Sequence, residues 1–276
     1  MSDQLSRLRQ LLRDLAPVVV AFSGGADSAF LAWVAHDTLG PDAAMAVTAV
    51  SPSLAGAELA DCAALAADWG LSWRTVDTDE MERAAYLVND GQRCYHCKAA
   101  LMDALSPFAA QATVLLGVNV DDLGDHRPGQ QAAAERAAAF PLVDAGFTKD
   151  DVRSFSRTLG LRTWDKPAAA CLASRLPYGT PVSVPLLGRV ERAEAALRSL
   201  GFGALRVRHY GDTARLELPL DALAGVLECR QAVVAGVQAV GYRYVTLDLE
   251  GLRSGNLNAA LAPPAAVTTT TTPGRL

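Results

Sequence analysis

The amino-acid sequence predicts an α/β protein with a doubly wound, mostly parallel sheet and a smaller C-terminal α+β domain. Three observations support this fold class. Short apolar, β-branched runs alternate with helical segments through the N-terminal part, which is typical of a parallel sheet with helical crossovers. A glycine-rich turn joins the first of these runs to the next helix. Beyond residue 180, a hairpin pattern between two helical segments replaces the alternation.

The N-terminal elements are predicted from hydrophobic pattern and from glycine or proline at their ends. Buried parallel strands are predicted at residues 18–22, 45–50, 72–76 and 113–118. Helices are predicted at residues 27–39 and 58–70, across the cysteine pair near residue 94, and at residues 148–160. Together these elements predict a domain spanning residues 1–180.

The boundary before the C-terminal domain is predicted within residues 177–185, a stretch rich in proline, glycine and threonine. The predicted elements of this domain are a helix at 187–200, a hairpin of 204–209 and 214–218 turned at Gly211, a helix at 221–240 and a strand at 242–249. The domain therefore covers residues 181–258. Residues 259–276 include five consecutive threonines and are predicted to be disordered.

Composition limits the class of protein. Half of the residues are apolar, and the net charge of −5 argues against a general nucleic-acid binder. The sequence has no signal-peptide pattern and no apolar run long enough to cross a membrane, so we expect a cytoplasmic protein without a membrane partner. Five cysteines, an odd number, argue against a disulfide framework and favour metal binding or catalysis.

The turn after the first strand predicts a phosphate-binding loop. Gly24 and Gly25 let backbone N–H groups approach an anion, and the following helix adds its positive end. Ser23 and Ser28 supply hydroxyl donors, while Asp27 can engage a metal ion or a nucleotide hydroxyl. The loop lacks the Gly-Lys-Ser/Thr of a Walker A motif. The alternative is an ordinary glycine-rich turn.

Acidic and amide side chains follow the fourth predicted strand, where ligands of open α/β sheets bind. Asn119, Asp121, Asp122 and Asp125 lie together there, and grouped carboxylates can hold Mg²⁺ against phosphate oxygens. The alternative is a solvated acidic loop.

Two lysines are candidates to neutralise phosphate. Lys149 follows Thr148 at the start of a predicted helix, although Thr148 also fits a plain N-cap. Lys166 lies in a Trp-Asp-Lys-Pro run. With these residues the loop resembles the PP-loop of ATP pyrophosphatases, which include GMP, NAD and argininosuccinate synthetases and several tRNA thiolases. The resemblance implies that ATP is split to AMP and pyrophosphate while a substrate oxygen is adenylylated.

The cysteines admit several interpretations. Cys94 and Cys97 form a C-x-x-C pair, and Cys171 lies in a separate Ala-rich run. They fit buried free thiols, a zinc site lacking a well-placed fourth ligand, or a [4Fe-4S] cluster held by three thiolates. The residues alone leave these alternatives open. Cys62 and Cys229 lie in predicted helices and are interpreted as packing residues.

Five motifs extend the resemblance over nearly the whole chain, where the sequence is similar to the LarE family. These are residues 93–98, 117–129, 164–179, 206–212 and 244–255. Departures inside the motifs are mild: Ala26 occupies a variable loop position, and Val118 stands where threonine is frequent.

The resemblance implies a sulfur transferase of nickel-pincer nucleotide synthesis. Such an enzyme adenylylates a carboxylate of pyridinium-3,5-biscarboxylic acid mononucleotide and then replaces AMP with sulfur. Asp27 and Cys171 are implied to be catalytic. The family also implies a homo-oligomer, with hexamers known.

The family has two sulfur sources. In one, a cysteine matching Cys171 gives up its own sulfur and becomes dehydroalanine, which requires a lowered thiol pKa. In the other, Cys94, Cys97 and Cys171 hold a [4Fe-4S] cluster whose open iron carries a hydrosulfide for transfer. Because Cys94 and Cys97 are both present, we favour the cluster.

Basic residues of the C-terminal part predict a site for the phosphate of the mononucleotide. Arg206 and Arg208 alternate along one predicted strand and therefore share a face. Arg175, Arg253 and Ser174 are added to this set. The alternative is a solvated strand face.

Two other functions remain as alternatives. A tRNA thiolase can also combine a PP-loop with three cysteines, but the acidic net charge argues against tRNA binding. A non-catalytic nucleotide sensor is the alternative outside enzymes.

Overall fold

A computed structural model describes residues 2–124, 128–167, 170–253 and 256–257. Asp125 and the tail at 259–276 lie outside these described residues. Within the described ranges, no helix combines the length and the apolar character needed to cross a membrane.

The first sheet of the described chain contains parallel strands in the order β3-β2-β1-β4. The strands are β1 (Val18–Ala21), β2 (Ala44–Val50), β3 (Ser72–Asp77) and β4 (Thr113–Leu115). Strand β4 is shorter than the predicted 113–118, because Leu116 N–H donates to the Ala139 carbonyl and the Val118 N–H donates back to the Leu116 carbonyl. The chain therefore leaves the sheet before Gly117.

Helices cover both faces of this sheet, which confirms the doubly wound prediction. They are α1 (Ser2–Leu15), α2 (Ala26–Leu39), α3 (Gly56–Trp69), α4 (Ala84–Leu87), α5 (Arg93–Ala109), α6 (Pro128–Ala134), α7 (Pro141–Asp144) and α8 (Lys149–Thr158). Because side chains alternate along β1, Val18 and Val20 pack with Phe30 in one core, whereas Val19 packs with Leu105 in another.

The C-terminal part contains a second, mixed sheet. Its elements are α9 (Val184–Ser199), β5 (Arg206–Tyr210), β6 (Thr213–Glu217), α10 (Leu223–Glu228), α11 (Arg230–Ala239) and β7 (Tyr244–Leu247). Strands β5 and β6 form the predicted antiparallel hairpin, and β7 pairs with β6 in parallel. Short 3-10 helices lie at Glu80–Glu82, Val120–Gly124, Leu172–Arg175 and Leu220–Ala222.

The prediction of one continuous helix at 221–240 is wrong. The chain leaves the helical conformation at Cys229 (φ −102°, ψ 23°), which separates α10 from α11. Gly225, a poor helix former, lies one turn earlier. Val226 of α10 and Val233 of α11 both lie in the core of the second sheet.

One buried arginine–glutamate pair joins the first part of the chain to the second, and another lies within the second sheet. Arg175, at the end of the 3-10 helix Leu172–Arg175, donates to Glu194 of α9 at 2.8 Å. Arg208 of β5 forms an ion pair with Glu217 of β6 at 2.8 Å. Both glutamate side chains are fully buried. Two charged pairs are therefore fixed at the junction between the two sheets.

The same arginines also hold the chain around Cys171. Arg175 Nη1 donates to the Cys171 carbonyl at 3.1 Å, and Arg208 Nη1 donates to the Ser174 carbonyl at 2.6 Å. The glutamates therefore orient the arginines, and the arginines position the segment that carries Cys171.

Replacing Glu194 with Gln should lower the free energy of unfolding by about 3 kcal/mol, because Arg175 is then buried without its counter-charge. Urea denaturation measures this change. Glu191→Gln, one turn earlier on the same helix, is the control: Glu191 accepts a hydrogen bond from the Gly56 N–H, and its loss of charge should cost less than about 1 kcal/mol. Equal effects of the two substitutions would contradict the structural role of Glu194.

Candidate active site

The predicted phosphate loop folds as a closed turn between β1 and α2. The hydroxyl oxygens of Ser23 and Ser28 lie 3.0 Å apart, and the Ser23 N–H donates to Ser28 Oγ at 3.3 Å. Ser28 Oγ also donates to the Gly25 carbonyl at 3.2 Å. The two hydroxyls therefore brace the turn at the start of the 14-residue helix α2, whose N-terminus favours an anion.

Gly24 is needed for two separate reasons. Its φ of +68° lies in the region that residues with a Cβ rarely adopt. A Cβ at this position would also lie only 2.9 Å from Sγ of the buried Cys62 and 3.7 Å from Nζ of Lys166. Cys62 thus packs directly beneath the loop, which agrees with its interpretation as a packing residue.

The structure brings Asp27 together with Asn119, Asp122 and Lys149, although these residues come from three separate elements. Asn119 Nδ2 donates to Asp27 Oδ1 at 3.1 Å. Burial raises the pKa of Asp27, and the Asn119 hydrogen bond and the Lys149 charge partly offset this increase. Their convergence depends on Gly117, where a Cβ would lie 2.7 Å from the Ser28 nitrogen.

The carboxylates predicted to bind Mg²⁺ have backbone partners in this structure. Asp121 Oδ2 accepts from the Lys149 N–H at 2.7 Å, and Asp122 Oδ2 accepts from the Asn119 N–H at 3.2 Å. Over the described ranges, no three His, Cys, Asp or Glu side chains form a metal-binding group. The assignment of Asp121 and Asp122 to Mg²⁺ stays a prediction.

Thr148 is the N-cap of α8, which is one of the two roles predicted for this segment from the sequence. Thr148 and Asp151 form a reciprocal capping box. This cap fixes the position of Lys149, whose N–H is bound by Asp121. A capping role and an electrostatic role of this segment are therefore compatible.

Lys166 lies beside the loop but already has two acidic partners, which the sequence analysis missed. Its Nζ donates to Glu58 at 2.9 Å and to Asp61 at 2.7 Å, both on α3. Burial alone would lower the pKa of Lys166, but the two carboxylates outweigh it and raise the pKa. Because Glu58 and Asp61 are three residues apart, they share one helix face, and this spacing was the available sequence signal.

The three candidate cysteines lie in one neighbourhood. Cys94 and Cys97 are in the first turns of α5, and Cys171 directly precedes a 3-10 helix. Cys97 and Cys171 both pack against an apolar cluster that includes Tyr86 and Leu172. Burial, followed by negative charge at Cys171, raises the pKa of the Cys97 thiol to about 12.

An iron–sulfur cluster fits this neighbourhood in its chemistry. Thiolates are the ligands that such clusters take, and all three cysteines are free thiols. The Tyr86 hydroxyl beside them is buried and has no hydrogen-bond partner among the described residues, so a polar partner could be accommodated. Among the described residues, the three thiols do not form a metal-binding group.

The arginines predicted to bind the substrate phosphate lie in different surroundings. Arg175 and Arg208 are buried in the ion pairs described above. Arg206 Nη1 donates to the Arg253 carbonyl at 3.0 Å, while the Arg253 side chain pairs with Glu250. Burial and then the charges of Arg208 and Arg175 lower the pKa of Arg206. Excess positive charge at Arg206 is what an anion would neutralise.

Known proteins are similar to this chain over different lengths. The NAD synthase family model matches residues 6–98, which contain the phosphate loop. An uncharacterised protein of Synechocystis is 45% identical over 266 residues, 95% of this chain and 99% of that protein. The pyridinium-3,5-bisthiocarboxylic acid mononucleotide synthase of Lactiplantibacillus plantarum is 39% identical over 253 residues, 91% of this chain and 92% of the synthase.

The similarity to the synthase covers the phosphate-loop part and the second sheet together, since it extends over nearly the full length of both chains. The chain therefore belongs to the LarE family of PP-loop enzymes.

Proposed function

We propose that this enzyme adenylylates a carboxylate of pyridinium-3,5-biscarboxylic acid mononucleotide and inserts sulfur to give the thiocarboxylate. ATP is the adenylyl donor and is split to AMP and pyrophosphate with Mg²⁺. The product class is that named for the Lactiplantibacillus synthase. The chemistry requires both steps: a carboxylate is a poor acyl electrophile, and an acyl-adenylate provides a good leaving group before sulfur attacks.

The observation that carries this proposal is the connection between the phosphate loop and Cys171. Lys166 lies against Gly24 of the loop, and Cys171 follows Lys166 by only five residues. A fully extended chain spans at most ~3.6 Å per residue, so the Cα atoms of Lys166 and Cys171 are at most about 18 Å apart. An adenylate formed at the loop is thus within reach of a sulfur near Cys171.

We assign the loop residues to ATP and its pyrophosphate. Backbone N–H groups and hydroxyls would hold the phosphates, and the amide, acids and lysine beside Asp27 would orient the reacting group and the metal. The residues are Ser23, Gly24, Gly25, Asp27, Ser28, Asn119, Asp122 and Lys149, with Asp121 and Asp122 as Mg²⁺ ligands.

For the sulfur source we propose a [4Fe-4S] cluster held by Cys94, Cys97 and Cys171. When bound, the cluster would supply the sulfur that enters the product. The three free thiols and the unpartnered Tyr86 hydroxyl beside them support this assignment. Sacrificial donation from Cys171 is the alternative, in which Cys171 itself loses its sulfur.

The mononucleotide phosphate is assigned to the surroundings of Arg206. Arg253 and Ser174 complete this site, and Arg175 and Arg208 shape it from within their ion pairs. The excess positive charge around Arg206 supports this assignment, because arginine binds phosphate through two parallel N–H donors.

We further propose that the enzyme acts in the cytoplasm as a homo-oligomer on this small substrate, without nucleic acid. Apolar side chains exposed on the C-terminal part support self-association. They are Leu227, Tyr244 and Leu249, of which Leu249 is 80% exposed.

The direct test is an anaerobic assay for the thiocarboxylate with ATP, Mg²⁺ and the biscarboxylate mononucleotide. Gly24→Ala should reduce pyrophosphate release at least about hundredfold, because the added Cβ strains the turn and meets Cys62. Gly70→Ala is the matched control: Gly70 also has a positive φ, but a Cβ there meets nothing within 4 Å. This variant should cost about 1 kcal/mol of stability and keep its activity. Full activity of Gly24→Ala would contradict the role of the loop.

Cys171→Ser should abolish thiocarboxylate formation and leave pyrophosphate release intact, because sulfur is needed only after adenylylation. Cys229→Ser, which removes a thiol bound to the Gly225 carbonyl, should change neither. Iron and sulfide analysis of anaerobically purified protein then distinguishes the two sulfur sources. Iron-free protein whose mass falls by one H₂S after turnover would rule out the cluster.

Arg206→Gln should raise the KM for the mononucleotide about tenfold to hundredfold, the effect of losing one charge-assisted hydrogen bond. The KM for ATP should change by less than about twofold, because Arg206 belongs to β5 and not to the phosphate loop. Arg243→Gln, which removes an arginine stacked on Tyr244, serves as the control. Equal increases in both KM values would contradict the assignment.

A further inference from the structure

Glu80 is a buried acid that the sequence analysis left without a role. It lies just beyond β3, at the start of the 3-10 helix Glu80–Glu82, and only 2% of its surface is exposed. Each of its carboxylate oxygens accepts a hydrogen bond from a hydroxyl. Ser53 Oγ donates to Oε1 at 3.0 Å, and Thr78 Oγ1 donates to Oε2. Over the residues that the structure describes, Glu80 forms no ion pair.

A buried acid without an opposite charge costs stability. The buried glutamates of the C-terminal part avoid this cost, since Glu194 pairs with Arg175 and Glu217 with Arg208. Glu80 differs from both, because its two oxygens hold two hydroxyls. Proteins retain such locally unfavourable groups mainly at functional sites. What the two hydroxyls hold in place therefore indicates the role of Glu80.

Ser53 connects Glu80 to the segment that carries Cys171. It is a buried residue of the turn that follows β2. Its carbonyl accepts from the Leu172 N–H at 2.8 Å, and Leu172 directly follows Cys171. Two hydrogen bonds through one serine therefore lead from Glu80 to the residue next to Cys171.

Thr78 connects the other oxygen of Glu80 to the first sheet. It is the residue after β3, and its N–H donates at 3.1 Å to the carbonyl of Val50, the last residue of β2. Strand β2 runs parallel to both β1 and β3, so the three strands end at one edge of the sheet. The phosphate loop leaves from that edge. Glu80 therefore joins the Cys171 segment to the edge of the sheet that carries the loop.

We propose that Glu80 is a positioning residue that, through Ser53, holds the Cys171 segment where sulfur can meet the adenylated carboxyl group. The transfer step rests on the proposed function, whereas the connection from Glu80 to Leu172 does not. Loss of this connection would leave the phosphate loop in place and shift the segment that presents the sulfur. Because a misplacement of about 1 Å can cost about hundredfold in rate, the loss falls on sulfur insertion and not on adenylylation.

The experiment compares wild-type protein with Glu80→Ala, Ser53→Ala and the double variant, anaerobically, with ATP, Mg²⁺ and the biscarboxylate mononucleotide. The measured quantity is the ratio of pyrophosphate released to thiocarboxylate formed. Each single variant should raise this ratio at least about tenfold, because the adenylate is formed but is lost to water before sulfur reaches it. The double variant should raise it no further than Glu80→Ala does, because both residues act through one connection.

Glu82→Ala is the matched control, because Glu82 is exposed on the same 3-10 helix, and its ratio should stay within about twofold of wild type. Equal losses of pyrophosphate and thiocarboxylate in Glu80→Ala would overturn the proposal, since a general loss of folded protein would then explain both. Single effects that multiply in the double variant would also overturn it. If Glu80→Ala does not fold, Ser53→Ala decides: a tenfold rise in the ratio supports the proposal, and an unchanged ratio refutes it.

Hydrogen exchange of the Leu172 amide tests the connection without any substrate. Glu80→Ala should speed this exchange at least about tenfold, while the amides of β1 keep their rates. An unchanged rate at Leu172 would overturn the positioning proposal. Failure of the proposed function would instead appear as absent thiocarboxylate in wild-type protein, and the exchange rates would still report on Glu80.

Discussion

The buried pairing of Arg175 with Glu194 and of Arg208 with Glu217 is the interaction on which the site depends. The glutamates come from the C-terminal part, and the arginines use their remaining N–H groups on carbonyls of the Cys171 segment. For Arg175 and Glu194, the cost of burying the charges is offset only when both parts of the chain are folded together. Formation of the second sheet is therefore a condition for ordering the cysteine, although that sheet contains none of the phosphate-loop residues.

The phosphate loop obeys a different constraint, which is close backbone approach. Gly24 lies over the buried Cys62, and Gly117 lies against the start of α2, so in both places a hydrogen atom occupies the only space left. Close packing therefore shapes the loop, whereas ion-paired arginines position the segment that carries Cys171. Lys166 connects the two, since it contacts the loop and begins the run that leads to Cys171.

Local signals predicted the N-terminal architecture and the loop, because strand, glycine turn and helix are adjacent in sequence. The convergence of Asp27 with Asn119 was also foreseeable, since strand ends meet at one edge of a parallel sheet. The break at Cys229 was not, because it depends on how two helices share one core. The roles of Arg175 and Arg208 were not foreseeable either, because an alternating arginine pattern predicts a shared face but does not show that buried glutamates bind the guanidinium groups.

Residue 171 is held by its main chain. Arg175 binds its carbonyl, and the N–H of the next residue, Leu172, donates to the Ser53 carbonyl at 2.8 Å. The side chain at this position therefore contributes little to keeping the backbone in place. Under the proposed function, a change of the side chain at position 171, or loss of its sulfur in a reaction, would leave the segment that presents it in place.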